Sequence, residues 1–189
     1  MRSTLACQTP VRFPIVWLLA ILSLSIGACN PAPTSRVDRD VLEVRSRGAL
    51  DAFTRADPSL RPLLDRSAGY AVFPGVAKGA AGVGAAYGRG EVFEGGKIIG
   101  YCDLRQGTVG LQLGGQEYME LIVFETGVAL ERFKSGAFTF SGNVSAVAVS
   151  AGAAATAPFQ NGVAVFTATK GGLMFEASVG GQRFTYRRR

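Results

Sequence analysis

Apolar residues recur with two different periods along this chain, and the change of period divides it into a helical part and a strand-rich part. From Val37 to Ala56 they are spaced three, four and seven residues apart among charged neighbours, which is helical periodicity. Pro58 and Pro62 are predicted to bracket a second short helix, whose apolar residues are Leu60, Leu63 and Leu64. After Gly69, apolar residues alternate with glycine at period two, as expected of closely spaced antiparallel strands.

The apolar positions of the first predicted helix are Val37, Val41, Leu42, Val44, Ala49 and Phe53. Acidic and basic residues are mixed between them. Mixed charge is typical of a face in contact with water, whereas a helix lying on a membrane usually concentrates Lys and Arg on its polar side. We therefore favour packing of this helix against the sheet over direct insertion into lipid.

Short strands are predicted throughout the glycine-rich part, at Ala71 to Phe73, Gly82 to Tyr87, Glu91 to Phe93, Lys97 to Asp103, Thr108 to Leu113, Leu121 to Phe124, Phe138 to Val149, Gly162 to Ala168, Leu173 to Val179 and Arg183 to Tyr186. Glycines between the apolar runs predict tight turns, because only glycine adopts positive φ at little cost. These turns are Gly88 to Gly90, Glu94 to Lys97 and Lys170 to Gly172.

One helix is predicted to interrupt the strands. Thr126 can cap it, Gly136 can end it, and its apolar side consists of Val128, Ala129, Leu130 and Phe133. The predicted fold class is therefore α+β, with N-terminal helices packed on a glycine-rich, strongly curved antiparallel β-sheet that carries one inserted helix. The expected curvature leaves closure of the sheet into a barrel as an open alternative.

The N-terminal residues have the layout of a secretory signal peptide. Arg2 and Arg12 accompany an uncharged run from Phe13 to Ile26, which is too short and too interrupted to span a bilayer comfortably. The next residues, Gly27 and Ala28, are small and lead into Cys29, so the segment resembles the lipobox of bacterial lipoproteins, in which the cysteine is acylated after cleavage. An uncleaved anchor helix is the alternative.

This interpretation predicts three regions: a signal peptide over 1–28, a lipidated cysteine and Pro-rich tether over 29–36, and a single domain over 37–189. The expected location is exported and lipid-anchored. By resemblance to the common Gram-negative sorting pattern, Asn30 after the cysteine predicts the outer membrane facing the periplasm, with surface display left open.

Composition excludes several classes of function. Without Arg2 and Arg12, the remaining 18 basic and 14 acidic residues leave a net charge of +4, with three arginines in the C-terminal tail, and no basic stripe of the kind that nucleic acids require. The chain has no histidine, and the predicted domain has the single cysteine Cys102. A typical zinc site and imidazole chemistry are therefore excluded, and no cofactor is expected.

Enzymatic activity is not expected. The acidic residues of the strand-rich part include Glu91, Asp103 and Glu120, and they are expected to be solvated rather than arranged as a catalytic pair. A serine nucleophile would need an activating base, and no lysine stands in an SxxK arrangement with a serine.

Several glycine-rich motifs together resemble the SYLF domain family. They are Gly69 to Gly79, the turn sequence Tyr87 to Gly90, Val109 to Gln116, Lys170 to Leu173 and Gly180 to Tyr186, and the resemblance runs roughly from Val41 to Tyr186. Eukaryotic members of that family bind phosphoinositide membranes, in part through an N-terminal amphipathic helix, and some bind actin. The bacterial members resemble this chain in having a lipobox, a short linker and a lone SYLF domain.

The resemblance implies a non-enzymatic module of the bacterial envelope that binds anionic phospholipid or a phosphoinositide-like headgroup. Lys78 and Arg89, at motif positions of the family, and Lys97 and Lys170, at predicted turns, are the candidate headgroup-binding residues. Actin is not expected as a partner of an exported bacterial protein. The alternative is an envelope scaffold that binds a protein partner. A basic rim beside exposed apolar residues would favour lipid, and a neutral apolar patch would favour protein.

Overall fold

A computed structural model describes residues 33, 35–136, 146–169 and 181–189, without the side chains of 80–83 and 108–114. The predicted signal peptide, Cys29 and most of the predicted tether lie outside the described residues, as does Lys170. The described residues belong to one compact unit, Pro31–Arg189.

Two helices open this unit, as predicted. Helix α1 is Arg36–Ala56, and the Ser35 hydroxyl caps it by accepting a hydrogen bond from the Asp38 backbone N–H at 3.0 Å. Helix α2 is Leu60–Arg66. Pro62 lies within its first turn instead of ending it, because the first backbone N–H groups of a helix have no partner inside the helix.

A single long hairpin forms most of the sheet. Strand β1 is Gly69–Glu94 and strand β2 is Lys97–Phe124, and the two pair antiparallel from Gly69↔Phe124 to Glu94↔Lys97. The predicted turn at Glu94 to Lys97 is confirmed, with Gly95 at φ +54° and Gly96 at φ +75°. The shorter strands predicted within these ranges are therefore continuous, and the predicted turn at Gly88 to Gly90 is wrong.

The hairpin doubles back on itself. An extended strand of 26 residues would span about 80 Å, yet the rings of Tyr70 and Phe93, near opposite ends of β1, stack with centroids 5.1 Å apart. A Cβ added to Gly69 would lie 2.6 Å from the Phe93 carbonyl oxygen, and one added to Gly90 would collide with the Val72 carbonyl oxygen. Glycine at position 90 thus permits close approach of two halves of one strand instead of making a turn.

The free edge of β2 pairs with two further strands. Strand β4, Val163–Thr169, pairs with the second half of β2, and strand β5, Gln182–Arg188, pairs with the first half. Strand β3, Val147–Ala148, adds a short parallel pair to β4. The sheet formed by the described strands is mostly antiparallel and does not close into a barrel, so that alternative is wrong.

Helix α3, Gly127–Lys134, is the predicted inserted helix. The Thr126 hydroxyl accepts a hydrogen bond from the Ala129 backbone N–H at 3.3 Å, and Gly136 follows the helix with φ +72°, so both predicted ends are confirmed. Its buried residues are Ala129, Leu130 and Phe133, while Val128 is exposed.

Two hydrophobic cores cover the two faces of the sheet. The inner core lies between the halves of the folded hairpin and includes α3. The outer core lies beneath α1 and α2 and includes Ala49, Phe53, Leu60 and Leu63. The mixed α+β class with N-terminal helices packed on a curved antiparallel sheet is therefore confirmed, and α1 is held on the outer face of the sheet.

Candidate functional site

Three valines form an exposed apolar stripe along α1. Val37, Val41 and Val44 are 68%, 51% and 73% exposed. Residues three and four apart lie on one side of a helix, and these valines lie on the side opposite to the buried Leu42 and Phe53. The spacing of apolar residues had not separated two different faces of this helix. One face packs on the sheet, as predicted, and the other is exposed to solvent. We call Val37, Val41 and Val44 the valine stripe.

Charged residues flank the valine stripe on both sides. Because successive residues are about 100° apart around a helix, Asp38 and Arg45 lie beside it on one flank, and Asp40 and Arg47 lie beside it on the other. Arg47 forms an ion pair of 3.0 Å with Glu43 on its own helix. The rim of the stripe therefore contains arginines interleaved with acids.

Three arginines meet at the N-terminal end of α1. Arg36, Arg39 and the C-terminal Arg189 line a depression of about 250 Å³ together with Asp40. Arg189 also lies 3.7 Å from Glu43, measured between its Nη2 and the carboxylate Oε2. Strand β5 thus brings the C-terminal arginines to the start of α1, and the positive end of the helix dipole carries an excess of basic side chains. We call Arg36, Arg39 and Arg189 the arginine cluster.

A groove of about 440 Å³ separates α1 from the sheet on the other flank of the stripe. It is lined by Asp38, Val41, Leu42, Arg45, Pro74, Gly75, Ala77, Tyr87, Gly88, Arg89 and Glu117. Across it, Arg45 Nη2 lies 3.9 Å from Glu117 Oε1, and both side chains are about half exposed to solvent. An exposed pair at that distance contributes little to stability.

Arg89 lies in this groove with an unsatisfied donor. Its Nε is buried and has no hydrogen-bond partner, although the residue as a whole is partly exposed. Asp103 is its cross-strand neighbour, but the Asp103 carboxylate accepts a hydrogen bond from Thr185 and lies 3.3 Å from Arg105. A buried donor without an acceptor costs free energy, so the Nε of Arg89 is an unfavourable feature of this part of the sheet.

The structure separates the predicted headgroup residues. Of the predicted headgroup residues that the structure describes, only Arg89 lines the groove. Lys78 is partly exposed on β1 opposite Gln116, and Lys97 is exposed at the hairpin turn. Lys170 and Cys29 lie outside the described residues. The sequence did not indicate the valine stripe, the arginine cluster or Glu117, because these depend on which face of α1 is covered and on where β5 ends.

Three acids expected to be solvated are buried instead. Glu91 is 1% exposed beneath α1, and Asp103 and Glu120 are fully buried. Burial raises the pKa of Glu91 to about 7, with the nearby Ser46 hydroxyl opposing the rise. Burial raises the pKa of Glu120 to about 8, although Gln182 donates a hydrogen bond of 2.9 Å to its carboxylate.

Neither Glu91 nor Glu120 lines the groove, and both carboxyl groups are buried in the interior of the domain. Cys102 is also fully buried, and burial raises the pKa of its thiol. Within the described ranges, no group of three or more His, Cys, Asp or Glu side chains is placed to hold a metal ion. No helix among the described residues is long and apolar enough to cross a membrane.

Comparison with known families gives a match to the C-terminal part of the chain. Residues 105–189 match the family model described as Ysc84: Las17-binding protein actin regulator, which is the SYLF family. The resemblance seen in the sequence is thereby confirmed over those residues, which include most of β2 and all of β5. The motifs before residue 105 lie outside the matched stretch. A search of curated proteins found no match.

Proposed function

We propose that this chain, which matches the SYLF family model over residues 105–189, is a non-enzymatic module that binds an anionic membrane surface through α1. The family is known for lipid-binding and actin-associated domains rather than for enzymes. The observation that carries the proposal is the valine stripe, an apolar surface on the solvent side of a helix whose other side is fixed to the sheet.

The charge at the N-terminal end of the stripe supports lipid over a protein partner as its ligand. A neutral apolar patch would suit a protein. The rim of this stripe carries arginines and acids in equal number, but the arginine cluster gives its N-terminal end an excess of positive charge. Basic residues near an anionic bilayer contribute about 1 kcal/mol each. Cations at a helix N-terminus oppose the helix dipole, so an anionic surface there would relieve an unfavourable arrangement.

A lipid anchor on Cys29 would add to the membrane contact made by α1. Acylated Cys29 would hold the start of α1 a few residues from a bilayer, and the outer membrane facing the periplasm is the proposed location. Tethering raises the local concentration of the domain at the membrane, so the contacts made by three valines and a few arginines need not be strong individually. Actin is not a proposed partner, because the chain would be exported.

The test uses the unit Pro31–Arg189, since every described core residue lies between Leu42 and Phe184. Cosedimentation would be measured with vesicles of neutral and of anionic phospholipid at low and moderate salt. We expect binding that requires anionic lipid and weakens with salt. Replacing all three stripe valines by serine should reduce the partition coefficient on the order of 100-fold.

The matched control is Val128→Ser, because Val128 is 72% exposed on α3 but lies outside the stripe. It should leave partitioning unchanged. Absence of binding to every vesicle, or equal loss in Val128→Ser, would refute the proposal and favour the scaffold alternative.

A further inference from the structure

The face of α1 that packs on the sheet has a polar residue at its centre. Its buried side chains include Leu42, Ser46, Ala49 and Phe53, whose spacing of three and four residues places them on one side of the helix. Ser46 is fully buried in the middle of this row, and its hydroxyl makes no hydrogen bond. The contact of α1 with the sheet therefore contains a polar group that an apolar side chain would replace without loss.

Glu91 lies on the sheet beneath this part of α1. It is 1% exposed, and its carboxylate Oε2 is buried without a hydrogen-bond partner. Tyr101 is directly opposite Glu91 on β2, and its hydroxyl is also buried and makes no hydrogen bond. An ionised carboxylate is stabilised by hydrogen-bond donors, so this oxygen of Glu91 lacks what its charged form would need.

The charged side chains that act on Glu91 do not neutralise it. Glu43 and Arg47 belong to α1, and Arg189 follows β5. Arg47 and Arg189 both lie beside Glu43, at 3.0 and 3.7 Å between side-chain nitrogen and oxygen atoms. On β1, Arg89 is two positions from Glu91 on the same face, but its Nε makes no hydrogen bond. An ionised Glu91 would therefore be a poorly compensated charge under the helix.

From this arrangement we infer that Glu91 is a pH-sensitive switch, which leaves α1 fixed to the sheet while it is protonated and weakens that attachment when it ionises. Burial raises the pKa of Glu91 from 4.5 to about 7 while α1 covers it. Detachment of α1 would expose Glu91 to water and return its pKa toward 4.5. The stabilisation of the attached helix is therefore fully present below about pH 4.5 and is lost as pH rises through 7.

The two ends of α1 are held differently. At the C-terminal end, Phe53 is fully buried, and the Asp57 carboxylate accepts hydrogen bonds from the backbone N–H groups of Gly152 and Ala154. At the N-terminal end, residues 36–41 are all exposed. Detachment should therefore begin at the N-terminal end and pivot near Asp57. This is also the end that carries the valine stripe, but the switch itself requires no lipid.

The test is amide hydrogen exchange of the ¹⁵N-labelled unit Pro31–Arg189 between pH 5 and pH 8, with rates corrected for the intrinsic pH dependence of exchange. A detached helix of this length is marginally stable in water, so its amides exchange. We expect amides between Leu42 and Ala49 to have a larger opening constant than those of β4. Over this pH range the opening constant of α1 should rise on the order of 50-fold and level off above pH 7.

Glu91→Gln keeps the shape of the side chain and cannot ionise, so the opening constant of α1 should then change by no more than about threefold over the same range. Glu120→Gln is the matched control, because Glu120 is an equally buried glutamate with a raised pKa. It lies two positions from Ile122 of the inner core and therefore on the opposite face of the sheet from α1. This variant should keep the full rise in α1.

Three results would overturn the inference. Equal opening constants for α1 and β4 at every pH would show that α1 detaches only when the whole domain unfolds. A rise in α1 that persists in Glu91→Gln, or that is lost in Glu120→Gln, would assign the titration to another group.

A second measurement needs no variant. The ¹³C resonance of the Glu91 side-chain carboxyl should titrate near pH 7 in the wild type, where the opening constant of α1 levels off. A midpoint below pH 5 would overturn the inference. None of these measurements uses vesicles, so failure of the switch and failure of the proposed membrane binding are distinguishable.

Discussion

The Asp57 carboxylate accepts a hydrogen bond of 2.7 Å from the backbone N–H of Ala154, which lies 97 positions later in the chain. The same carboxylate accepts from the Gly152 N–H at 3.0 Å and from the N–H and hydroxyl of Ser59 at 3.0 and 2.6 Å. Burial alone would raise the pKa of Asp57, but these hydrogen bonds outweigh it and lower the pKa. The segment between α1 and α2 is thus tied to the loop that precedes β4.

Replacing Asp57 by alanine should destabilise the domain by about 3 kcal/mol, because it leaves several donors of the two segments without their charged acceptor. Asp57→Asn keeps one acceptor oxygen and should lose about half as much. Urea unfolding at pH 7 measures both changes. Equal stability of the wild type and Asp57→Ala would show that water replaces the carboxylate without cost.

Because Glu120 is buried, we expect the stability of the domain to fall as pH rises. Its pKa is raised from 4.5 to about 8 in the folded state, so the folded state holds a proton that the unfolded state releases between those pH values. Its contribution is fully present below about pH 4.5 and is lost as pH rises through 8, with a slope of up to about 1.4 kcal/mol per pH unit.

Glu120→Gln removes the titrating carboxyl group. The free energy of unfolding of the variant should therefore fall less steeply with rising pH than that of the wild type. Urea unfolding between pH 5 and pH 9 compares the variant with wild type. Glu91, whose pKa is raised to about 7, should still give a smaller fall that ends one pH unit earlier. Parallel profiles for wild type and variant would contradict a buried, protonated Glu120.

Gly90→Ala should destabilise the domain by about 1–3 kcal/mol, because the new methyl group would collide with the Val72 carbonyl oxygen across the folded hairpin. Gly79→Ala is its control, since it lies on the same strand with nothing within 4 Å of the added Cβ. It should change stability by no more than about 0.5 kcal/mol. Similar effects at both positions would mean that the two halves of β1 are not in close contact.

The helices were predictable from local pattern, and the doubling of the hairpin was not. Ser35, Thr126 and Gly136 mark helix ends by local hydrogen bonding and backbone preference, which sequence reports directly. Gly88 and Gly90 looked like turn residues because glycine serves both tight turns and close backbone approach. Only the position of Val72 across the fold distinguishes the two uses.

The candidate site was only partly predictable, because its local motif can be recognised in the sequence but the burial of its residues depends on tertiary packing. Arg89 was identified through its motif, and it does line the groove. Val41 and Leu42 are neighbours in sequence and both apolar, yet one faces solvent and the other the sheet. Which acids are buried, such as Glu120, likewise depends on pairing with β4 and β5 and on partners such as Gln182, which lies 62 positions away.

The central claim, that the valine stripe enters the membrane surface, is tested most directly by a tryptophan placed in it. The single tryptophan of the chain is Trp17, so the unit Pro31–Arg189 contains none and Val44→Trp supplies a unique fluorophore. Val128→Trp supplies the matched control, because Val128 is as exposed as Val44 but lies on α3. With anionic vesicles, the account predicts a blue shift of emission and protection from an aqueous quencher for Val44→Trp only. Unshifted emission from Val44→Trp with vesicle-bound protein, or an equal shift from Val128→Trp, would contradict it.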